Sequence, residues 1–224
     1  SGRGLARTIG ALLLVMAASA IVAEFVARGA LFVPGDAAAT AANVLAEPTR
    51  FRLGLAGFLV VFLGDVAVAI LFFLLLRSVH AAVAWLSMGF RLVYTAVVGA
   101  SLVAYAGAGS LLLGDGFTEV LGIDAVQGQA LLLLELFDAG FSLALTFFGV
   151  HLLLLGWLLA RSRMLPALLG WLVLLGGAAY LLDSGLYVLA PAVQDQVGGA
   201  LVVLGFAELL LALWLVVRGV RPRP

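Results

Sequence analysis

The hydrophobic pattern of this chain consists of long apolar stretches separated by short polar turns. Each stretch is about 20 residues or longer, which is the length at which an α-helix crosses the hydrocarbon core of a bilayer. The pattern therefore predicts six transmembrane helices. Their approximate bounds are 5–32, 52–76, 81–113, 125–160, 165–189 and 198–217.

Turn-forming and capping residues mark the ends of the first helices. Pro34-Gly35 ends the first helix, and Asp36 is a good N-cap for a short helix over 37–46, which stops before Pro48. This short helix is expected to lie at the membrane surface. We therefore expect an all-α fold. The expected fold is a polytopic six-helix transmembrane bundle with a short surface helix between helices 1 and 2. We expect it to form a single domain over residues 1–224.

Two of the predicted helices, 81–113 and 125–160, are longer than a bilayer requires. We expect the first of them to tilt, to protrude or to break near Gly107–Gly109. Proline marks the later boundaries, since Pro166 lies in the first turn of the fifth helix and Pro191 follows its end.

The composition agrees with a membrane protein and excludes several kinds of chemistry. The chain is 65% hydrophobic and 11% charged, with a mean hydropathy of +1.24. It has no cysteine and no lysine, which excludes disulfides, cysteine-ligated metals and lysine Schiff bases. Twelve arginines balance twelve carboxylates, so the charge gives no sign of a nucleic-acid partner. The sequence predicts no metal and no cofactor, and it predicts the lipid bilayer as a partner.

The arginines predict the orientation in the membrane. The N-terminal tail, two of the predicted turns and the C-terminal tail fall on one side and carry these residues: Arg3, Arg7, Arg77, Arg161, Arg163, Arg218, Arg221 and Arg223. The links 114–124 and 191–197 on the other side contain no arginine, although Arg28, Arg50 and Arg52 also fall there. The positive-inside rule then places both termini in the cytoplasm, and we expect the inner (cell) membrane of a bacterium. All four tryptophans fall near the predicted cytoplasmic interface.

A buried arginine is the first candidate for function. Arg91 lies well inside the third predicted helix, and a charge at the bilayer centre costs about 2.5–3.5 kcal/mol on insertion scales, so it must face protein or water. Counted from Val79, Asp65 lies about 21 Å along one helix and Arg91 about 18 Å along the next. The two residues are nearly level, and we predict that they form an ion pair inside the membrane.

Two further residues match this depth. His151 lies about 18 Å from the next turn, and Glu208 lies about 15 Å from Arg218. If His151 is neutral, these four residues carry one excess negative charge, so a proton or a cation is a candidate occupant. Tyr94 shares a helix face with Arg91. An outer, acidic group contains Glu24, Asp138 and Asp183. These eight residues are the candidate ligand- or ion-binding residues, and no catalytic residue is assigned.

Three functional hypotheses are compatible with these residues. The first is a small proton- or cation-linked carrier, or a membrane protein that binds a small molecule. The second is a structural or interaction protein whose buried ion pairs only hold the bundle together. The third is an enzyme that acts on a lipid-like substrate through His151 and Glu208. Common hydrolase and protease motifs are absent, so the sequence argues more against an enzyme than for one. It does not indicate an oligomeric state.

Short motifs along nearly the whole chain resemble those of one membrane family. The matching stretches are Phe51–Gly54 leading to Asp65, Leu74–Arg77 leading to Phe90–Val93, Phe148–Leu152 leading to Arg161-Ser162, Pro166–Gly170 leading to Tyr180, and Glu208 leading to Trp214-Leu215, with Asn43 before them. On these residues the chain resembles the bacterial multi-pass family known as domain of unknown function 4386. The resemblance implies a multi-pass helical bundle and no assigned activity.

Overall fold

The computed structural model describes residues 2–205 and 207–221, and within these ranges it describes all side chains except those of residues 195, 200 and 202–205. The described residues form helices and connecting turns, with no strand. The helices of these described residues are α1 Gly2–Leu31, α2 Ala37–Ala46, α3 Pro48–Leu76, α4 Ala81–Leu113, α5 Phe117–Leu121, α6 Ile123–Ser162, α7 Ala167–Leu189, α8 Pro191–Gly205 and α9 Ala207–Val217. The expected all-α class is confirmed.

Within the described part of the chain, five helices are long and apolar enough to cross a membrane. They are α1, α3, α4, α6 and α7, which correspond to the first five predicted spans. The sixth predicted span, 198–217, overlaps α8 and α9, and residue 206 between them lies outside the described residues. Arg223 in the predicted C-terminal tail lies outside them too. The helices indicate a multi-pass membrane protein, and the count of six spans stays a prediction.

The helix boundaries agree with the sequence at some points and correct it at others. α4 begins and ends at the predicted residues and is continuous through Gly107–Gly109, so the break allowed by the sequence is absent. α3 begins at Pro48, four residues before the predicted start. Proline suits the first turn of a helix because its missing N–H would have no helical partner there. Pro191 likewise begins α8, where the sequence predicted a link.

Three local features add detail to the helix ends. Pro166 is the N-cap of α7 and not part of its first turn. The predicted link 114–124 contains α5, which two glycines with positive φ, Gly116 and Gly122, bound on either side. Residues Val22–Arg28 of α1 form a π-helical segment, which the hydrophobic pattern does not reveal.

The predicted cap of the short second helix is present. Asp36 Oδ1 accepts a hydrogen bond from the backbone N–H of Ala39 at 2.9 Å. Thr40 Oγ1 exchanges hydrogen bonds with the N–H and carbonyl of Val33, and Asn43 Nδ2 donates to the Leu31 carbonyl at 3.2 Å. These contacts fix the chain between α1 and α2, so this segment is an ordered connection.

Contacts group the described residues into two compact units. Unit 1 comprises the described parts of Ser1–Met16, Leu63–Ala96 and Ser142–Pro224. Unit 2 comprises Ala17–Phe62 and Val97–Phe141. The helices α1, α3, α4 and α6 each contribute residues to both units. The prediction of a single domain over residues 1–224 stays a prediction.

Each unit has its own core. In unit 2, Tyr105 stacks on Phe51 with ring centroids 4.5 Å apart, and Phe137 packs on Phe58 and Tyr105. In unit 1, α6 and α7 approach closely at glycines. A Cβ on Gly156 would lie 2.5 Å from the Leu174 nitrogen, so only glycine allows this contact.

Candidate functional site

Arg91 of α4 is the centre of a buried charged group in unit 1. It is 1% exposed, and Asp65 of α3 is 2% exposed. Arg91 Nη2 lies 2.6 Å from Asp65 Oδ1, and Arg91 Nε donates to the same oxygen at 2.8 Å. Both residues lie where the helical rise along the α3–α4 hairpin places them. Charge-assisted contacts of this kind are stronger than neutral hydrogen bonds.

The same guanidinium contacts a second carboxylate. Arg91 Nη1 donates to Glu208 Oε1 of α9 at 2.7 Å, and the Glu208 side chain is 18% exposed. The guanidinium thus joins α3, α4 and α9. Glu208 is the more accessible of its two carboxylate partners.

His151 of α6 completes the group, and its contacts define its tautomer. Its Nδ1 lies 2.8 Å from the Ser87 carbonyl oxygen, and its Nε2 lies 3.1 Å from Arg91 Nη1. A carbonyl only accepts, so Nδ1 carries the hydrogen, and an arginine only donates, so Nε2 presents a lone pair. His151 is therefore neutral in this arrangement. We call Arg91, Asp65, Glu208 and His151 the Arg91 cluster.

With both carboxylates ionised, the cluster has one excess negative charge. One guanidinium faces two carboxylates and a neutral imidazole. Its surroundings are largely apolar and aromatic. The Phe148 ring lies 5.3 Å from Arg91 Cζ and also contacts the rings of Tyr94, His151 and Tyr180. The candidate Tyr94 thus borders the cluster through Phe148.

The packing beside the cluster is tight. An apolar crevice next to His151 is too narrow for a water molecule. Its lining includes Ala69, Phe72, Ala84, Met88 and Leu155. Among the described residues, every buried side-chain nitrogen and oxygen has a hydrogen-bond partner. The crevice therefore offers no space for a solute.

Two of the outer candidates lie together in unit 2, where they share an arginine. Arg28 Nη2 lies 2.9 Å from Glu24 Oε1 and 3.2 Å from Asp138 Oδ1. The side chains of Glu24 and Asp138 are 39% and 33% exposed. The sequence predicted a group that is acidic only. That interpretation missed that Arg28 follows Glu24 by four residues, a spacing that brings two helical side chains together.

The third outer candidate, Asp183, lies in unit 1 on α7. It is 9% exposed, and its Oδ1 accepts a hydrogen bond from Gln194 Nε2 of α8 at 3.0 Å. Among the described residues, the side-chain hydrogen bonds of Arg91 go to the three other members of its cluster, and Asp183 lies outside this group. Gln194 was missed because the sequence predicted a link in place of α8.

Ser87 and Phe148 were also missed as site residues. Ser87 falls on the predicted Arg91 face, one turn before Arg91, and Phe148 precedes His151 by three residues on α6. Both spacings place the side chain on the same helix face as a cluster residue, so the sequence contained a signal for each of them. Neither residue has a titratable side chain, so the pattern of buried charges along the sequence does not reveal them.

Comparison with known proteins identifies the family of this chain. The family described as "Domain of unknown function (DUF4386)" matches residues 8–219, a range that includes the whole Arg91 cluster. The chain belongs to this family. A relative from Archaeoglobus fulgidus, itself described as an uncharacterized protein, is 28% identical over 173 residues, which cover 77% of this chain and 86% of the relative. No solved structure matches the chain.

Proposed function

We propose that this DUF4386 protein is a small carrier or ligand-binding protein of the membrane in which the Arg91 cluster takes up one proton. The supporting observation is the charge count, one guanidinium against two carboxylates and a neutral imidazole. An uncompensated charge is costly where water is largely excluded. One bound proton removes that charge.

A proton suits the cluster better than a metal cation. Arg91 already occupies the position between Asp65 and Glu208, and the crevice beside His151 is too narrow for a water molecule. A proton requires no added volume. Glu208 is more exposed than Asp65, so we propose that the proton enters and leaves through Glu208.

The environment of the protein is part of the proposal. We propose an inner (cell) membrane of a bacterium, with both termini in the cytoplasm and the lipid bilayer as the principal partner. The five apolar helices and the distribution of arginines along the chain support this orientation. A small molecule linked to the proton is the proposed cargo or ligand.

Infrared difference spectroscopy tests the proton site without knowledge of a substrate. The purified protein is titrated from about pH 9 to about pH 6. In this range a carboxylate that protonates near neutrality gives a signal, and ordinary carboxylates, which protonate near pH 4, stay ionised. We expect a carboxylic-acid C=O band that is absent from both Asp65→Asn and Glu208→Gln, because either change removes the excess charge. The control Glu135→Gln alters an exposed carboxylate and should keep the band. A band that survives both cluster substitutions would refute the proton site.

A structural role is the second candidate, and the complete hydrogen bonding of the described buried side chains favours it. In that case the cluster only holds α3, α4, α6 and α9 together, and no carboxylate titrates in the infrared experiment. No observation favours the enzyme hypothesis. The Nε2 lone pair of His151, which a general base would use, already accepts from Arg91 at 3.1 Å.

A further inference from the structure

Four chain segments of unit 1 meet at one end of that unit. Arg3 Nε donates to the Val220 carbonyl at 3.4 Å, and the Arg221 N–H donates to the Met164 carbonyl at 2.9 Å. His80 packs edge-on against Trp157, with ring centroids 5.8 Å apart. These contacts join the start of α1, the α3–α4 turn, the α6–α7 turn and the segment after α9. We call the arginines of these segments the basic end: Arg3, Arg7, Arg77, Arg161, Arg163, Arg218 and Arg221.

In the part of the chain that the structure describes, no acidic side chain forms an ion pair with the basic end. The stretches 1–23, 66–114, 139–182 and 209–224 contain no aspartate or glutamate. In the described part of the chain, the ion pairs involve Arg28, Arg50 and Arg91 and none of the arginines of the basic end. An anion from outside the chain is therefore the natural partner of this end.

Trp157 contacts two residues of the basic end and its adjoining turn that can donate hydrogen bonds. Arg161 Cζ lies 4.8 Å from the centroid of its ring, and the His80 ring contacts the same indole at an interplanar angle of 77°. His80 Nδ1 accepts from the Val83 N–H at 3.3 Å, so in the neutral ring Nε2 carries the hydrogen and is a donor. A guanidinium and an imidazole donor beside one indole suit an anion with several acceptor oxygens, such as a phosphate.

Unit 1 also has exposed apolar and tryptophan side chains near the predicted ends of its helices. Trp85 is 58% exposed and Trp171 57%, and Leu86 and Leu168 are also exposed. Tryptophan prefers the level of the lipid headgroups, where its ring contacts acyl chains and its N–H stays near water. The same unit therefore offers donors for a charged headgroup and apolar surface for acyl chains.

We propose that an anionic phospholipid binds at the basic end, with its headgroup phosphate held by Arg161 and His80 beside Trp157. Basic clusters of membrane proteins at the bilayer surface attract anionic lipids in this way. The inference rests on the basic end alone and does not depend on the proton proposed for the Arg91 cluster.

Native mass spectrometry of the full chain in detergent tests the proposal. The protein is titrated with dioleoyl-phosphatidylglycerol and, separately, with dioleoyl-phosphatidylcholine. We expect tighter binding of phosphatidylglycerol, and a loss of affinity of about fivefold for each arginine removed, or about 25-fold for Arg77→Gln, Arg161→Gln. The matched control Arg50→Gln, Arg52→Gln removes the same charge from unit 2 and should bind like the parent. Arg161→Lys, which keeps the charge, should bind more tightly than Arg161→Gln.

Three outcomes would overturn the proposal. They are equal binding of the two lipids, unchanged phosphatidylglycerol binding in the basic-end double variant, and binding of free glycerol 1-phosphate as tight as that of phosphatidylglycerol. Equally tight binding of glycerol 1-phosphate would show that Arg161 and His80 bind a free phosphate compound and not a lipid. If the double variant is not folded by size-exclusion chromatography, the comparison of phosphatidylglycerol binding by Arg161→Gln and Arg161→Lys tests the proposal.

Discussion

Replacing Arg91 by glutamine is expected to lower the free energy of unfolding by about 3–5 kcal/mol. The change removes the cation whose three nitrogens contact Asp65, Glu208 and His151. It leaves one carboxylate that is 2% exposed and another that is 18% exposed, with like charges and no counter-charge. Removing one partner of a buried pair costs more than removing the whole pair, because the remaining charge stays buried.

A double-mutant cycle separates this effect from simple loss of packing. Asp65→Asn keeps an oxygen that can accept from Arg91 and leaves the guanidinium paired with Glu208, so it should cost only about 1 kcal/mol. In the variant Asp65→Asn, Arg91→Gln, Glu208 is the one charged residue left in the Arg91 cluster. This variant should be more stable than the sum of the two single-variant destabilisations predicts. We expect a coupling energy of about 1–3 kcal/mol. The measurement is unfolding in mixed micelles with increasing dodecyl sulfate, followed by circular dichroism.

The pH dependence of Arg91→Gln provides a second check on the same reasoning. Without the guanidinium, the folded variant should bind protons on its two carboxylates more tightly than the unfolded chain does. Where the folded state binds more protons, the free energy of unfolding rises as the pH falls. The destabilisation should therefore shrink in acid. A cost below about 1 kcal/mol, additive with Asp65→Asn and independent of pH, would show that Arg91 does not hold both carboxylates.

Three further predictions concern other parts of the structure. Gly156→Ala should destabilise the fold by about 1–3 kcal/mol in the same unfolding assay, because the added Cβ would meet the backbone of α7. Gly128→Ala on the same helix is the control. A Cβ there would have no neighbouring atom within 4 Å, so this change should be neutral or slightly stabilising. Nitrogen-15 NMR of labelled histidine should find His151 with its hydrogen on Nδ1, and a signal for hydrogen on Nε2 would contradict the arrangement with Arg91 and Ser87. Asp36→Ala should cost about 1 kcal/mol in thermal unfolding, and Asp36→Ser should restore most of it, since serine also caps helices; equal losses in both would argue against capping.

Local rules account for the parts of the fold that the sequence predicted well. The ends of α4 follow from its apolar run, and Asp36 caps α2 because its short carboxylate suits that position. The depth of Asp65 and Arg91 follows from the helical rise alone, because the turn between α3 and α4 is too short to allow a large shift along the helix axis. In each case the determining contacts lie close together in sequence.

The partners of Arg91 depend on how helices distant in sequence rotate and pack, which the hydrophobic pattern does not define. Four predicted residues at one depth could have formed two separate pairs. Instead, Nη1 alone serves both Glu208 and His151, 117 and 60 residues away. The helical rise gives the position of a side chain along the helix axis. The direction in which it points around that axis depends on close contacts between helices, such as those at the α6 and α7 glycines, where an added methyl group would change which faces pack together. The excess negative charge of the cluster is thus a property of the packed helices, because it requires both carboxylates to meet one guanidinium while the contacts of His151 keep that ring neutral.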